Sequence, residues 1–416
     1  MLDTVNLKFI KTIKTIFILA LLNSSIYWAI QLYFPTGPLR LVIIIFMNIS
    51  VLLLIFSFFK RDYYKFEVNI YFKTMFYLLL AWSFFTIVRS ISSNPKDLIT
   101  LFGHMTMGWT WVTPIALIFG LNIYNWLHLF NLFAKFALVS ALLALGAAWY
   151  TEGVLFGLIQ WIIFLPFLLM TFIYQKKYNR RIIIFATIMF AVLSFYASQR
   201  ANFIFLIMLL IFALIEYFRQ SEVPPLRKVI LSYLLIIGIL LFSFKVDSII
   251  TDLSNNQEVT QDTRTFLVEE MYEDMSDMDL LLGRGALGTY FSPYFDMLRK
   301  SGFAGGDSAT RTLNEIGYLQ IVLKGGYIMV ALYLLILLPA ALLGIFNSKN
   351  IISRVSGYYI LAHLLFWSVT YLPIYAPKFL LLWMAAGSTI SKRARMTKNS
   401  DLLVLVKGKL QFKGQE

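Results

Sequence analysis

Along this chain apolar residues gather into runs of roughly twenty, separated by short polar clusters, rather than alternating at the period of a strand. The runs fall near residues 13–33, 40–59, 68–90, 105–121, 129–149, 154–174, 182–197, 201–217, 229–246, 316–343, 355–373 and 376–391. Wound as helices that rise about 1.5 Å per residue, most of them match the hydrocarbon thickness of a bilayer. The pattern therefore predicts an all-α, polytopic integral membrane protein with about twelve transmembrane helices. Residues 1–391 form one transmembrane domain, and 392–416 form a basic tail. The first run follows Lys8, Lys11 and Lys14, as in a signal peptide. It is too long for a cleaved apolar region and no small-residue cleavage site closes it, so it is expected to remain as the first span.

Composition agrees with the pattern. Of 416 residues, 59% are hydrophobic and only 14% are charged, and the mean hydropathy is +0.74, far from a soluble globular chain. The net charge of +14 would suit nucleic acid, but the basic residues are scattered between apolar runs, where they act as topology signals. No nucleic-acid partner is expected. Cysteine is absent, which removes disulfides, thiolate metal sites and Cys nucleophiles.

The basic clusters alternate. Lys8 to Lys14, "KRDYYK" at 60–65, "QKKYNRR" at 175–181, "RQSEVPPLRK" at 219–228 and "SKRARMTK" at 391–398 fall on one side of successive spans, which the positive-inside rule makes cytoplasmic. Both termini are expected there. The opposite, outer side receives the "SQR" junction at 198–200, the turn at 149–153 and one long loop, 247–315. That loop holds thirteen of the 22 acidic residues and five basic ones, Arg264, Arg284, Arg299, Lys300 and Arg311. A polar loop of this length is usually functional or disordered, and "TRTFLVEEMYEDMSDMDLLLG" within it predicts short surface helices.

Candidate chemistry concentrates on that side. Arg200, between two spans that share almost no loop, reads either as an arginine snorkelling to the interface or as an anion clamp at the depth of a lipid phosphate. Arg264, Arg284 and Arg311 carry guanidinium forks that suit phosphate oxygens, or else pair with nearby carboxylates. The "GRGALG" glycines at 283–288 lack the strand-turn-helix setting of a nucleotide loop and suggest a tight turn that brings backbone close to something. Asp307 and Glu315 are candidate general bases, with a capping or ion-pair role the alternative for Glu315. His104, His128 and His363 are isolated, and no spacing suggests a metal site. His363 reads as a hydrogen-bonded packing residue, and Lys324 must face protein or a cavity.

The order of these features, with "SQRANF" opening a span, a long loop carrying "TR" and then "LLGRGALGTY", and "EIGYLQIVLKGG" opening the next span, resembles the O-antigen polymerase and O-antigen ligase superfamily over residues 180–345. The resemblance implies a GT-C-like membrane glycosyltransferase that needs no metal and no cofactor. It implies transfer of a glycan from an undecaprenyl-diphosphate carrier to a sugar hydroxyl at the outer face of a bacterial inner membrane. Arg200 and Arg264 look like the family arginines that hold the diphosphate, with Arg284, Arg311, Asp307 and Tyr318 expected around diphosphate and glycan. The ligase branch usually has a histidine just before the helix that opens with Tyr-Leu-Gln. Here Glu315 and Ile316 precede "GYLQ", a departure that favours polymerisation of repeat units and leaves the base open, with Glu315 the best candidate.

The expected partners are lipid-linked glycan donor and acceptor and membrane lipid, and a chain-length regulator stays open. A ligase moving glycan to a lipid or protein acceptor is the nearest alternative. A transporter or lipid flippase would call for charges at mid-membrane and an internal repeat. This chain shows no repeat and concentrates its charges at one face.

Overall fold

The computed structural model describes residues 7–33, 38–59, 68–148, 165–196, 200–219, 265–300, 309–370 and 373–411. The expected span at 229–246, most of that at 154–174, the loop residues 247–264 and 301–308, and with them Arg264 and Asp307, lie outside the described residues.

The described chain is mostly helical. Its helices are α1 (Leu7–Tyr33), α2 (Pro38–Phe59), α3 (Ile70–Val88), α4 (Pro95–Gly103), α5 (Leu117–Gly120), α6 (Tyr124–Ala148), α7 (Leu165–Met170), α8 (Lys177–Tyr196), α9 (Arg200–Arg219), α10 (Thr265–Asp274), α11 (Asp277–Leu282), α12 (Pro293–Lys300), α13 (Gly317–Phe346), α14 (Ile351–Phe366), α15 (Pro377–Ile390), α16 (Lys392–Met396) and α17 (Asn399–Gln411). Among the described residues, four stretches are long and apolar enough to cross a membrane: Leu41–Phe59, Ile70–Val88, Tyr124–Leu143 and Gly317–Phe346. Ile351–Phe366 is apolar but shorter. This is the architecture of a helical membrane protein, because in hydrocarbon each backbone polar group must be satisfied within the fold.

Caps fix several helix starts. Asn69 accepts from the Tyr71 amide at 3.0 Å, Asn94 accepts from that of Lys96 at 3.0 Å ahead of Pro95, and Asn350 accepts from that of Ser353 at 2.8 Å. Each satisfies an amide that the helix leaves without a carbonyl. The 105–121 run departs from the expected continuous span. A 3₁₀ stretch, Gly108–Ala116, with Pro114 inside it, leads into the single turn of α5. Gly120 of α5 and Gly387 of α15 lie so close that a β-carbon on either would meet the other helix's backbone. Short, small-residue segments of this kind let helices approach where apolar burial alone cannot drive them together.

The core runs between α13, α14 and α15. Tyr333 tilts onto Trp367 and Trp383, and Trp367 stacks on Phe379. His363 sits in the same layer with Nδ1 3.0 Å from the Tyr359 carbonyl, the packing role its sequence setting suggests. At one end of this bundle Glu216 of α9 is buried against Arg354 of α14, with oxygen to nitrogen distances of 2.6, 2.9 and 3.0 Å. The tail packs at that end too, where the Asn350 amide donates to the carbonyls of Ala394, Arg395 and Thr397. The described polar residues 265–300 and 309–316 cover the other end, where α3 finishes and α13 begins.

Candidate functional site at the break in helix α13

Helix α13 is broken at Gly326, whose φ of 70° and ψ of −178° no helix can absorb. The break strips the carbonyls before it of their helical amides, and an unsatisfied carbonyl at such depth costs several kcal/mol. Three consecutive carbonyls are met from outside the helix. Leu323 accepts from the Arg284 amide at 2.8 Å, Lys324 from the Gly285 amide at 3.0 Å, and Gly325 from the Trp82 indole at 2.7 Å. The turn predicted at 283–288 is therefore seated in the broken helix, with Gly283 at φ 72° and Gly285 at φ 83°.

The fit is reciprocal. Lys324 is fully buried, and its ammonium donates to the Gly288 carbonyl at 2.7 Å. This is the protein-facing position its place in an apolar run requires. From α3, the Thr86 carbonyl accepts from the Ala286 amide at 3.1 Å, and just past its end Ser90 Oγ accepts from the Leu287 amide at 3.0 Å. Arg89 donates to the carbonyls of Leu282 at 3.0 Å and Gly283 at 2.6 Å. The last turn of α3, the break in α13 and the glycine turn thus complete one another's backbone hydrogen bonds.

Arg284 folds back under its own turn. It pairs with Asp274 and with Asp279 at 3.0 Å, and donates to the carbonyls of Asp274 at 2.5 Å and Thr289 at 2.8 Å. With its Nε also on Asp279, all the N–H groups of the fork are engaged. Ser276 and Asp279 form a capping box that starts α11. Burial alone would raise the Asp279 carboxyl, but hydrogen bonds from Arg284 and Ser276 hold it below its ordinary value. Burial likewise works to lower Arg284, and its two carboxylate partners outweigh that and raise it.

A two-residue antiparallel ribbon pairs Tyr290 with Arg311 and Phe291 with Thr310, which carries the chain from the turn to the head of α13. Glu270 of α10 anchors the ribbon's far side, accepting from Ser292 Oγ at 2.6 Å and the Tyr294 amide at 2.8 Å. Tyr290 is fully buried, and burial pushes its phenol up to about 12. At the head of α13, Arg311 lies 3.4 Å from Glu315 and over the Phe295 ring. Arg311 is mostly covered, with 18% of its side chain exposed, whereas Glu315 is 58% exposed. Glu315 makes the ion pair and not the cap, because the first turn of α13 has no side-chain cap. Asn314 closes the helix start instead. Its side-chain oxygen accepts from the Ile316 amide at 3.0 Å, and its backbone N–H donates to Gln320 Oε1 at 2.8 Å. Tyr318 faces inward, donating to the Leu364 carbonyl at 2.9 Å with its ring edge-on to Trp367.

Of the residues expected to carry chemistry, Arg284, Arg311, Glu315 and Tyr318 are gathered around the head and the break of α13. Arg200 opens α9, and its side chain is outside the described residues. The sequence reading missed Trp82, Arg89, Asp97 and Asn314. One signal was available for Arg89, since a basic residue at the end of the third span runs against the positive-inside rule. Among the described residues no three His, Asp or Glu side chains gather as a metal set.

The chain matches no protein-family model, no curated protein and no solved structure.

Proposed function

We propose that this protein is a membrane glycosyltransferase that joins lipid-diphosphate-linked oligosaccharide repeat units into a longer chain. It works in the manner of an O-antigen or exopolysaccharide polymerase, at the outer face of a bacterial inner membrane. The observation that carries this reading is the juxtaposition of Arg311 and Glu315, a covered guanidinium beside an accessible carboxylate, at the head of an apolar helix long enough to span a bilayer. A lipid-linked glycan presents its reacting carbon at that level, with its tail among the spans and its sugars among polar loops.

In the proposed reaction the bond between the anomeric carbon of the growing chain and its diphosphate oxygen breaks. A hydroxyl oxygen of the incoming unit bonds to that carbon, and its proton passes to Glu315. Diphosphate leaves with its polyprenyl tail, and its growing charge is stabilised by guanidinium groups. On the resemblance, Arg200 and Arg264 hold the diphosphate and Asp307 lies near the glycan. Arg311 assists from the mouth of α13, and Tyr318 and Arg284 shape its walls. Energy comes from the donor bond, which accounts for a chain without nucleotide motifs.

The test is a glycan ladder. Wild-type protein in detergent, given a lipid-linked repeat unit, is expected to build products of increasing length, and Arg200→Ala and Arg264→Ala to build few or none. A folded wild-type protein that yields no ladder defeats the reading. A normal ladder from Arg264→Ala defeats the diphosphate assignment while leaving the activity intact.

A further inference from the structure

Beside the glycine turn, between the end of α3, the 90–97 connection and residues 284–289, lies an open cleft of about 440 Å³. That volume falls within the roughly 300–1,000 Å³ usual for small-ligand sites. Arg89, Ile91, Ser92, Asp97, Leu287 and Thr289 are among its lining residues. The walls are already neutralised on one side, because Arg284 is matched by Asp274 and Asp279. Among the described residues Arg89 spends two N–H groups on protein, those that reach Leu282 and Gly283, and packs over the Phe85 ring, which leaves the other N–H groups of its fork for a ligand. The half-buried Asp97 carboxylate has no donor among the described side chains.

Among the described lining residues, what remains in the cleft is one guanidinium, one carboxylate, hydroxyl groups and two apolar side chains. A phosphate would meet Asp97 as a like charge and gain little net attraction. A sugar ring suits the same set. Its hydroxyl groups donate to Asp97 and accept from Arg89, charge-assisted bonds stronger than neutral ones, and its C–H face lies on Ile91 and Leu287. We propose that this cleft is a carbohydrate subsite, one that holds a sugar unit of the glycan while the diphosphate is held elsewhere. The inference rests on the glycosyltransferase reading for its place in a reaction, but the cleft's preference for sugar over phosphate follows from its own side chains.

Hydrogen exchange of the full-length protein in detergent, read by mass spectrometry on peptides spanning 86–98 and 283–292, tests it. The probes are a panel of neutral, amino-sugar and acidic oligosaccharides, and inorganic diphosphate. Saturable protection of both peptides by at least one oligosaccharide is expected, with affinity lowered about tenfold or more in Asp97→Ala, the loss of one charge-assisted bond. Thr289→Val serves as a second, milder variant for the case in which Asp97→Ala fails to fold. Protection by diphosphate that strengthens in Asp97→Ala makes the cleft an anion site and overturns the proposal, as does a panel in which no oligosaccharide protects either peptide. Because binding is read without turnover, a protein that binds sugar here yet builds no ladder defeats the polymerase reading alone. Conversely, a normal ladder from a protein whose cleft binds no sugar defeats the subsite alone.

Discussion

Gly283 and Gly326 lie back to back: a β-carbon on Gly326 would fall 2.6 Å from the Gly283 amide nitrogen, and one on Gly283 would strike the Lys324 and Gly325 backbone. Both residues also combine positive φ with extended ψ, 72° and 171° at Gly283 and 70° and −178° at Gly326, a region that is almost glycine-only and costs an L-residue with a side chain about 1–3 kcal/mol. The contact is backbone on backbone, so no rotamer change relieves it. Gly326→Ala is therefore expected to lose more than about 2 kcal/mol, strain and clash together, seen as a lowered thermal midpoint in detergent. Gly285→Ala is strained too, at a φ of 83°, but is expected to lose less, because its β-carbon would meet the Ser90 hydroxyl rather than backbone, at the cost of that hydroxyl's bond to the Leu287 amide. Equal midpoints for Gly326→Ala and wild type would mean that the turn and the break are not packed as described.

How much of this was legible in the sequence depends on what each residue's neighbours are. The apolar runs at 40–59, 68–90 and 376–391 became helices within a few residues of those limits, because a long apolar run has no other way to satisfy its backbone in a membrane. The run at 105–121 is apolar too, yet became 3₁₀ structure and a single turn. Its Gly and Pro content sets local geometry, and periodicity cannot separate two helix types inside an apolar stretch. At the candidate site, the close approach of the "GRGALG" glycines could be read, but not its target, since Lys324 and Gly326 are about forty positions away and nothing local couples them. Arg284 differs, because its partners are close in sequence and pairing with nearby carboxylates is one of the two readings its sequence setting allows. Its chemistry suits a phosphate as well as a carboxylate, and only the fold selects Asp274 and Asp279.

The Arg284 fork with Asp279 predicts a defined acid response. Hydrogen bonds hold the Asp279 carboxyl below its ordinary value of 3.8 despite burial. A depressed folded value means that the carboxylate's contribution is present above the unfolded value and is lost as pH falls through the folded one. Asp279→Asn is thus expected to have a lower thermal midpoint than wild type at neutral pH, with the gap closing only below about pH 3.8. A gap that closes instead near pH 6 would point to another titrating group.

At the opposite end of the bundle, Glu216 is 1% exposed and Arg354 is 13% exposed. Breaking a buried pair leaves one charge without a partner, a loss of about 3–5 kcal/mol, whereas replacing both by apolar groups of similar size is often near neutral. Arg354→Met alone should therefore unfold at much lower temperature than wild type, and Glu216→Leu combined with Arg354→Met should recover most of the difference. Thermal unfolding of these three proteins and of Glu216→Leu alone forms a double-mutant cycle. A double variant no better than Arg354→Met would show that the pair is not the reason for the loss.

The pair at the head of α13 should behave in the opposite way. Arg311 and Glu315 are 3.4 Å apart, and Glu315 is largely exposed, so the ion pair adds little to stability. Asn314 and Gln320, not Glu315, hold the start of the helix. Glu315→Gln is nearly isosteric and should melt with wild type. If Glu315 takes the proton of the attacking hydroxyl, the same variant should extend a lipid-linked glycan about 10²–10⁴ times more slowly, the usual contribution of a positioned base. Exchanging the charges with Arg311→Glu and Glu315→Arg would restore the ion pair but put the carboxylate on the covered ribbon position, so the rate should stay low while the midpoint is kept. A Glu315→Gln protein that extends glycan at the wild-type rate removes Glu315 as the base, and a charge-exchanged protein that recovers the rate shows that the pair matters and its orientation does not.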